Sequence, residues 1–248
     1  PPKRAPSRTR RAPNPLLSRE MLDVTADMKG IRRIAQRIRE PSYTLRQYYD
    51  DCVACFPELR LFFTASKTET LVRTFSGFSQ ELNYQRTMGS FFIVYWLLRL
   101  PGDGAMGFCY GAKAGDEWVV AVSPSTTTAV KTKSFEAMTS EERSAAFLAG
   151  IDWGLLSSLI DRAGCGPDAG EEGVRRIMAL LCLIVVKDLM KETQLQPTVQ
   201  PEHAPFHKKE GGMRITSSKL ALTYMMQHFP HLLPSYAGLD NGQKDLVC

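Results

Sequence analysis

Apolar residues along this chain recur mostly at spacings of three and four, which is typical of α-helices buried on one face. The most apolar stretch is Val174 to Lys191 (VRRIMALLCLIVVKDLMK), which has no polar side chain between Ala179 and Val186. Its apolar part, about 12 residues, is shorter than the roughly 20 residues that cross a bilayer. It therefore predicts a core helix, and a helix apolar on all sides needs neighbours. Phe91 to Leu100 (FFIVYWLLRL) predicts a second such helix.

The N-terminal part predicts further helices. Ser18 is a suitable N-cap for a helix that ends before Pro41, and Ser42 caps another that Pro57 ends. Ser66 with Glu69 has the spacing of a capping box. The first of these helices has an apolar stripe made of Met21, Val24, Met28, Ile31, Ala35 and Ile38.

One segment departs from the helical period. Residues 106–110 and 117–122 alternate about Ala114-Gly115-Asp116, which predicts a β-hairpin. The hydroxyl-rich residues 123–134 predict an exposed loop, and Thr139 with Glu142 then opens a second run of helices. Gly164 is a suitable C′ residue, and Ser217 can cap the last helix.

These patterns predict a mainly α fold: a two-lobed helical body with one small β-hairpin, a flexible basic N-terminal arm and a C-terminal tail. A chain of 248 residues is long enough to bury the core of such a body. The predicted divisions are the arm (1–17), an N-terminal helical lobe with the terminal hairpin (18–122), a linker (123–138), a C-terminal helical lobe (139–229) and the tail (230–248).

Positive charge is concentrated at the N-terminus. The chain carries a net charge of +5, residues 1–19 carry six basic side chains and no acid, and residues 20–248 are left with −1. Prolines at five of the first 15 positions predict that this arm is extended and mobile. A partner that binds an arm with this positive charge should be a polyanion. The six basic residues are Lys3, Arg4, Arg8, Arg10, Arg11 and Arg19.

The first predicted helix also carries basic residues off its apolar stripe. Two interpretations stay open for this basic face: it is an ordinary solvated helix face, or it continues the polyanion surface of the arm. Membrane-surface binding is less favoured because the apolar stripe contains no Trp or Phe. The basic residues are Lys29, Arg32, Arg33, Arg37 and Arg39, and the predicted linker adds Lys131 and Lys133.

The sequence contains no legible catalytic or metal motif. Gly102 to Gly107 spells G-x-G-x-x-G, but a helix precedes it and a strand follows, the reverse of a dinucleotide site. Pro205 separates His203 from His207, and the Cys52-x-x-Cys55 pair has no second pair, so both predict structural roles. We predict no cofactor, no metal and no enzymatic activity.

Six cysteines without a disulfide-like framework, and no visible secretory signal, indicate an intracellular, reducing compartment. An Arg-rich arm also fits a mitochondrial presequence, although its prolines would break the required helix.

The C-terminal tail is apolar but too short for a core of its own. Pro230, Pro234 and Gly238 prevent it from extending the last helix. It must therefore fold back on its own chain or dock on a neighbour, and docking predicts self-association. The residues concerned are Leu232, Leu233, Tyr236 and Leu246.

In layout, this chain is similar to RNA-virus nucleocapsid and filamentous coat proteins: a basic arm, a two-lobed helical body and an apolar tail. The resemblance implies a virion and host-cytoplasm protein that self-assembles on single-stranded RNA, largely through phosphates. Its arms would hook neighbouring subunits. The RNA-binding residues would be the six basic residues of the arm together with Lys29, Arg32, Arg33, Arg37, Lys131 and Lys133.

Two alternatives fit the same features. One is a structural subunit of a large ribonucleoprotein particle, such as an organellar ribosome, whose arm threads into RNA. The other is a peripheral membrane or matrix-type scaffold whose arm meets anionic lipid.

Overall fold

The computed structural model describes residues 14–64, 80–103 and 152–247, and this part of the chain is mainly helical. The N-terminal helices are α1 (Pro15–Met21), α2 (Met28–Arg37), α3 (Leu45–Cys55), α4 (Leu61–Thr64) and α5 (Gln80–Asp103). The C-terminal helices are α6 (Trp153–Arg162), α7 (Gly170–Lys187), α8 (Ser218–His228), α9 (Pro234–Ala237) and α10 (Asn241–Val247). Short 3-10 turns connect several of them.

Helix α7 is the centre of the described body, as its apolar sequence predicted. Helices α2, α5, α8, α9 and α10 all pack against it. Leu181, Cys182, Val185 and Val186 are almost fully buried. The helix begins at Gly170 and ends at Lys187, whereas the prediction ran from Val174 to Lys191; the last residues form a separate 3-10 turn, Leu189–Lys191. Residues of both predicted lobes share one hydrophobic core.

The predicted N-terminal helix is in fact two helices. Asn14, not Ser18, is the first N-cap: its side chain accepts hydrogen bonds from the amides of Leu16 and Leu17 at 2.9 and 3.3 Å. The Asn14 side chain also donates to the carbonyl of Gln194 at 2.5 Å. The periodic stripe concealed the break because residues 22–27 carry Val24 at the spacing of a helix. Leu17 lies within the predicted arm but is fully buried, so the folded body begins earlier than predicted.

Two other boundaries also differ from the sequence prediction. Helix α3 is capped by Thr44 rather than Ser42, through a capping box with Gln47. Helix α5 continues past Leu100 to Asp103, so Pro101 does not end it. At the end of α6, Gly164 has φ of 67°, the left-handed conformation expected of a C′ glycine. The predicted hairpin (106–122), the linker (123–138), and the helices expected to open at Ser66 and Thr139 lie outside the described residues.

The tail folds back on its own chain. It forms the 3-10 turn Pro230–Leu232 and then α9 and α10, which pack on α7. Leu232 and Leu233 are fully buried and Tyr236 is nearly so. This settles the alternative left open by the sequence in favour of folding back for these three residues. The prediction that these three residues dock on a neighbouring subunit is therefore wrong, because they are buried in the protein's own core. Leu246, in contrast, has 48% of its surface exposed.

Among the described residues, no helix is both long and apolar enough to cross a membrane.

Candidate nucleic-acid interface

Helix α2 exposes part of its predicted basic face. Ile31, Ile34 and Ala35 turn towards the core, which leaves Lys29, Arg32 and Arg33 on the outer side of the helix. The guanidinium of Arg32 pairs with Glu171 of α7 at 2.6 Å. Lys29 and Arg33 make no ion pair with any residue that the structure describes. We call Lys29, Arg32 and Arg33 the α2 surface.

Other predicted cations are placed differently. Arg37 is half-buried, bonds Glu40 at 3.1 Å and lies 4.5 Å from the centre of the Tyr43 ring. These contacts give Arg37 a structural role beside any role at an interface. Arg19 is exposed on α1. The remaining predicted residues lie outside the described part of the chain: Lys3, Arg4, Arg8, Arg10, Arg11, Lys131 and Lys133.

Two arginines hold backbone carbonyls inside the body. Arg39 donates to the carbonyls of Leu98, at 3.1 Å, and Cys165. Burial lowers the pKa of the Arg39 guanidinium. Arg99 is 2% exposed and donates to the carbonyls of Ile38 and Glu40, at 3.0 and 2.8 Å, just beyond α2. Both cations therefore join α5 to the C-terminal end of α2 rather than facing a partner.

A groove that the sequence did not predict lies between α5 and the C-terminal end of α7. It has a volume of about 570 Å³. Phe92 is partly exposed there and Ile93 has 50% of its surface exposed. We call it the α5/α7 groove; its lining residues are Arg86, Gly89, Ser90, Phe92, Ile93, Lys187, Asp188 and Lys191.

Asp188 fixes two ammonium groups at this groove. Its carboxylate bonds Lys187 Nζ at 2.5 Å through Oδ2 and Lys191 Nζ through Oδ1. Burial opposes ionisation of Asp188, but the two lysine hydrogen bonds outweigh it and lower its pKa. The trio therefore carries a net charge of +1. Each ammonium has three donors, so donors remain for a ligand oxygen after the bond to Asp188.

The sequence contained only a weak signal for this groove. Lys187 and Lys191 are four residues apart, but they read as the polar end of the core helix. Arg86 belongs to α5 yet precedes the apolar run at Phe91. Only packing of α5 against α7 brings these parts of the chain together.

Nothing in the described residues forms a metal centre. They contain no cluster of three or more His, Cys, Asp or Glu side chains suited to a metal ion. Cys52 and Cys55 of the C-x-x-C pair are both buried, and burial is the main reason that the pKa of Cys55 is raised to about 11. Raised pKa values keep these thiols mostly protonated at neutral pH, as is usual for buried cysteines in a core.

Comparison of this chain with protein-family models, with curated proteins and with solved structures found no match. Its function must therefore be argued from its own residues.

Proposed function

We propose that the protein binds single-stranded RNA through backbone phosphates, largely independently of sequence, and self-assembles on it as a nucleocapsid or coat protein. The observation that carries the proposal is the charge distribution: six basic residues and no acid in residues 1–19, on a chain otherwise close to neutral. Arg and Lys without a base-reading module favour phosphate contacts over sequence readout.

The α2 surface extends this basic region onto the folded body. Arg19 on α1 follows the arm, and Lys29 and Arg33 follow Arg19 within 14 residues of chain. Exposed cations without an ion pair can approach phosphates without first breaking one, so Lys29 and Arg33 are the residues of the α2 surface best suited to this role. The two-lobed body and the hairpin remain predictions. We propose that Lys131 and Lys133, on the predicted linker, also contact RNA.

The α5/α7 groove supplies a second contact region. Lys187 and Lys191 line this groove and offer ammonium donors to a phosphate. Arg32 pairs with Glu171 near the start of α7 and Lys187 ends that helix, so the two regions lie about 24 Å apart along α7, at 1.5 Å per residue. A flexible single strand can contact both.

Fluorescence anisotropy with a generic single-stranded RNA over a range of salt concentrations tests the binding. Replacing both Lys29 and Arg33 by Gln should weaken binding and reduce the slope of log affinity against log salt by about 1.4, at roughly 0.7 per phosphate contact. The matched control replaces Arg162 and Lys219, two exposed cations on other helices that form no ion pair with the described residues, by Gln. An equal loss in the control would show that overall charge, not the α2 surface, determines binding.

The groove is tested without disturbing its lysines. Ile93→Asp places a carboxylate at an exposed position of the groove and should weaken RNA binding severalfold by repelling phosphate. Val53→Asp adds the same charge at a comparably exposed position of α3, 46% exposed against 50%. RNA affinity that is unchanged in Ile93→Asp would remove the groove from the interface.

Assembly separates the proposal from its alternatives. Negative-stain microscopy of the purified protein with generic single-stranded RNA should show regular multimers. A protein that binds RNA yet stays monomeric would instead be a subunit of a ribonucleoprotein particle. Flotation with anionic vesicles in the absence of RNA would favour the membrane scaffold.

A further inference from the structure

All four histidines of the chain lie in one group of aromatic side chains. The rings of His203 and His228 stack with their centres 3.9 Å apart and 21° between their planes. Both rings also contact Tyr224. We call His203, Tyr224 and His228 the histidine latch; His207 and His231 lie beside it, against Phe206 and Phe229.

The latch joins an irregular segment to α8. Residues 197–215, the docking loop, are closed on themselves by backbone bonds from Val199 to Met213 at 2.8 Å and from Ile215 to Pro197 at 2.9 Å. His203 belongs to this loop, whereas Tyr224 and His228 belong to α8. The loop reaches α8 through Phe206 on the Tyr224 ring and through two hydrogen-bond contacts to the Tyr224 hydroxyl.

The Tyr224 hydroxyl joins the loop backbone to the His203 ring. It accepts the backbone N–H of Gln200 at 2.8 Å and lies 3.0 Å from His203 Nδ1. The hydroxyl can donate to an unprotonated Nδ1 or accept from a protonated one, because it has one proton and two lone pairs. What opposes protonation of both histidines is their stacking, since two imidazolium rings with centres 3.9 Å apart repel each other.

The surroundings offer little to balance a second positive charge. On the loop, Glu202 and Glu210 are exposed, and Glu202 acts electrostatically on Tyr224. Lys208, Lys209 and Arg214 outnumber these two acids, which leaves residues 197–215 with a net charge of +1. The 3-10 turn Leu189–Lys191 also packs on α8, but its Lys191 is held by Asp188. No described acid forms an ion pair with His203 or His228. Burial, followed by the charge of His203, lowers the pKa of His228.

We propose that the stacked pair is an acid-operated latch, which holds the docking loop on α8 when both imidazoles are neutral and releases it when they are protonated. Free histidine has a pKa of about 6.5, and a released loop takes up protons more readily than the stacked pair. The holding contribution is therefore fully present above that pH and is lost as the pH falls below it. This regulation does not depend on RNA binding.

Hydrogen–deuterium exchange of the full chain tests the latch, with rates corrected for the intrinsic pH dependence of exchange. Between pH 7.5 and 5.5, protection of residues 197–215 should fall at least tenfold, while α7 stays protected. His228→Phe keeps an aromatic ring in the stack but cannot be protonated, so its loop should lose less than threefold. His231→Gln, which removes a histidine outside the stack, should behave like the wild-type protein.

Loop protection that does not change with pH, or an equal loss in His228→Phe, would overturn the proposal. A second measurement guards against a variant that fails to fold. In the wild-type protein, nuclear magnetic resonance should show His228 titrating below the free imidazole value of about 6.5, with the amide of Gln200 shifting at the same pH. If His228 titrates at the free value, or if the Gln200 amide does not shift with it, the latch is excluded.

Discussion

Glu58 provides the sharpest stability test, because it ties the N-terminal part of the chain to the tail. It lies in the 3-10 turn Pro57–Arg60 and is fully buried. Its Oε1 accepts the backbone N–H of Ser235 at 2.7 Å and the Ser235 hydroxyl at 2.6 Å. Its Oε2 accepts no hydrogen bond from a neighbouring residue that the structure describes. Replacing Glu58 by Ala removes the acceptor that both Ser235 donors use among the described residues.

The expected cost follows from those two bonds. A buried donor left unpaired costs about 1–3 kcal/mol. The Ser235 hydroxyl can rotate, but its backbone N–H cannot find another acceptor without moving α9. Part of this loss of stability is offset, because Glu58→Ala also removes a buried carboxyl oxygen, Oε2, whose lack of a hydrogen bond destabilises the wild-type protein. We expect Glu58→Ala to lower the free energy of unfolding by about 2–4 kcal/mol, a large share of the 5–15 kcal/mol typical of a domain.

Glu58→Gln separates the hydrogen bonds from the charge. The amide oxygen can keep both bonds to Ser235, so the variant should remain folded. Burial raises the pKa of Glu58, and the Ser235 bonds offset this only in part. A raised carboxyl pKa contributes stability below the unfolded value of about 4.3, and that stability is lost as the pH rises through the folded pKa. Relative to the wild-type protein, Glu58→Gln should therefore gain stability between pH 4 and pH 8.

Urea unfolding followed by circular dichroism measures both effects, because the difference between variant and wild type cancels the titration of all other groups. Ser235→Ala is the matched partner variant: it removes the hydroxyl but keeps the backbone N–H. A loss below 1 kcal/mol for Glu58→Ala at neutral pH would mean that the tail is not held by this carboxyl. A Glu58→Gln difference that is flat with pH would refute the buried-charge argument.

Three further predictions concern the proposed interface. Deleting residues 1–13 removes five basic residues but spares the Asn14 cap, so the protein should stay folded by circular dichroism while the salt slope of RNA binding becomes shallower by up to about 3.5; unfolding would show that the arm is structural. Glu171→Gln frees Arg32 from its ion pair and should raise RNA affinity, measured by anisotropy; lower affinity would exclude the α2 surface. Leu246→Asp should reduce multimers on RNA in sedimentation without changing the melting temperature, whereas Leu155→Asp, at a comparably exposed leucine of α6, should leave the multimers unchanged; multimers unaffected by Leu246→Asp would remove α10 from the self-association surface.

The core helices were predictable because a helix that is buried on all sides consists mainly of apolar residues, and such a run is visible in the sequence. Val174 to Lys191 could only be placed inside the body, and α7 occupies that position. Its end was misjudged because Asp188 and Lys191 fit a helix period as well as they fit a 3-10 turn. The start of α8 after Ser217 was predicted correctly, since a hydroxyl residue directly preceded a clear apolar stripe, but the Ser217 side chain makes no capping hydrogen bond.

The break between α1 and α2 was not predictable from periodicity. Met21 and Met28 are seven residues apart, the spacing of two helical turns, whether or not the chain between them is helical. One local contact marks the break, since the Asp27 side chain caps α2 by accepting the backbone N–H of Gly30 at 2.9 Å. Two other contacts at the break are long-range: Asn14 bonds Gln194, and the backbone N–H of Asp27 bonds the carbonyl of Cys55 at 3.4 Å. Contacts of this kind leave no local pattern in the sequence.

The tail was misjudged for a similar reason. Its apolar residues required a cover, and the sequence could not show whether that cover was the same chain or a neighbour. The buried Glu58 is what gives the answer, because its carboxyl meets Ser235 across 177 residues of sequence. A Glu in a sequence is read as a surface residue, so no local rule would have paired it with the tail.

The charge distribution is the basis for proposing a polyanionic partner, but ion pairing decides which cations are available to contact it. Arg39 and Arg99 count towards the net charge, yet both are committed to backbone carbonyls inside the body. Arg32 is exposed but shares its charge with Glu171. Lys29 and Arg33 are exposed without an ion pair to the described residues, so removing these two should change the salt dependence of RNA binding most for each charge lost from α2.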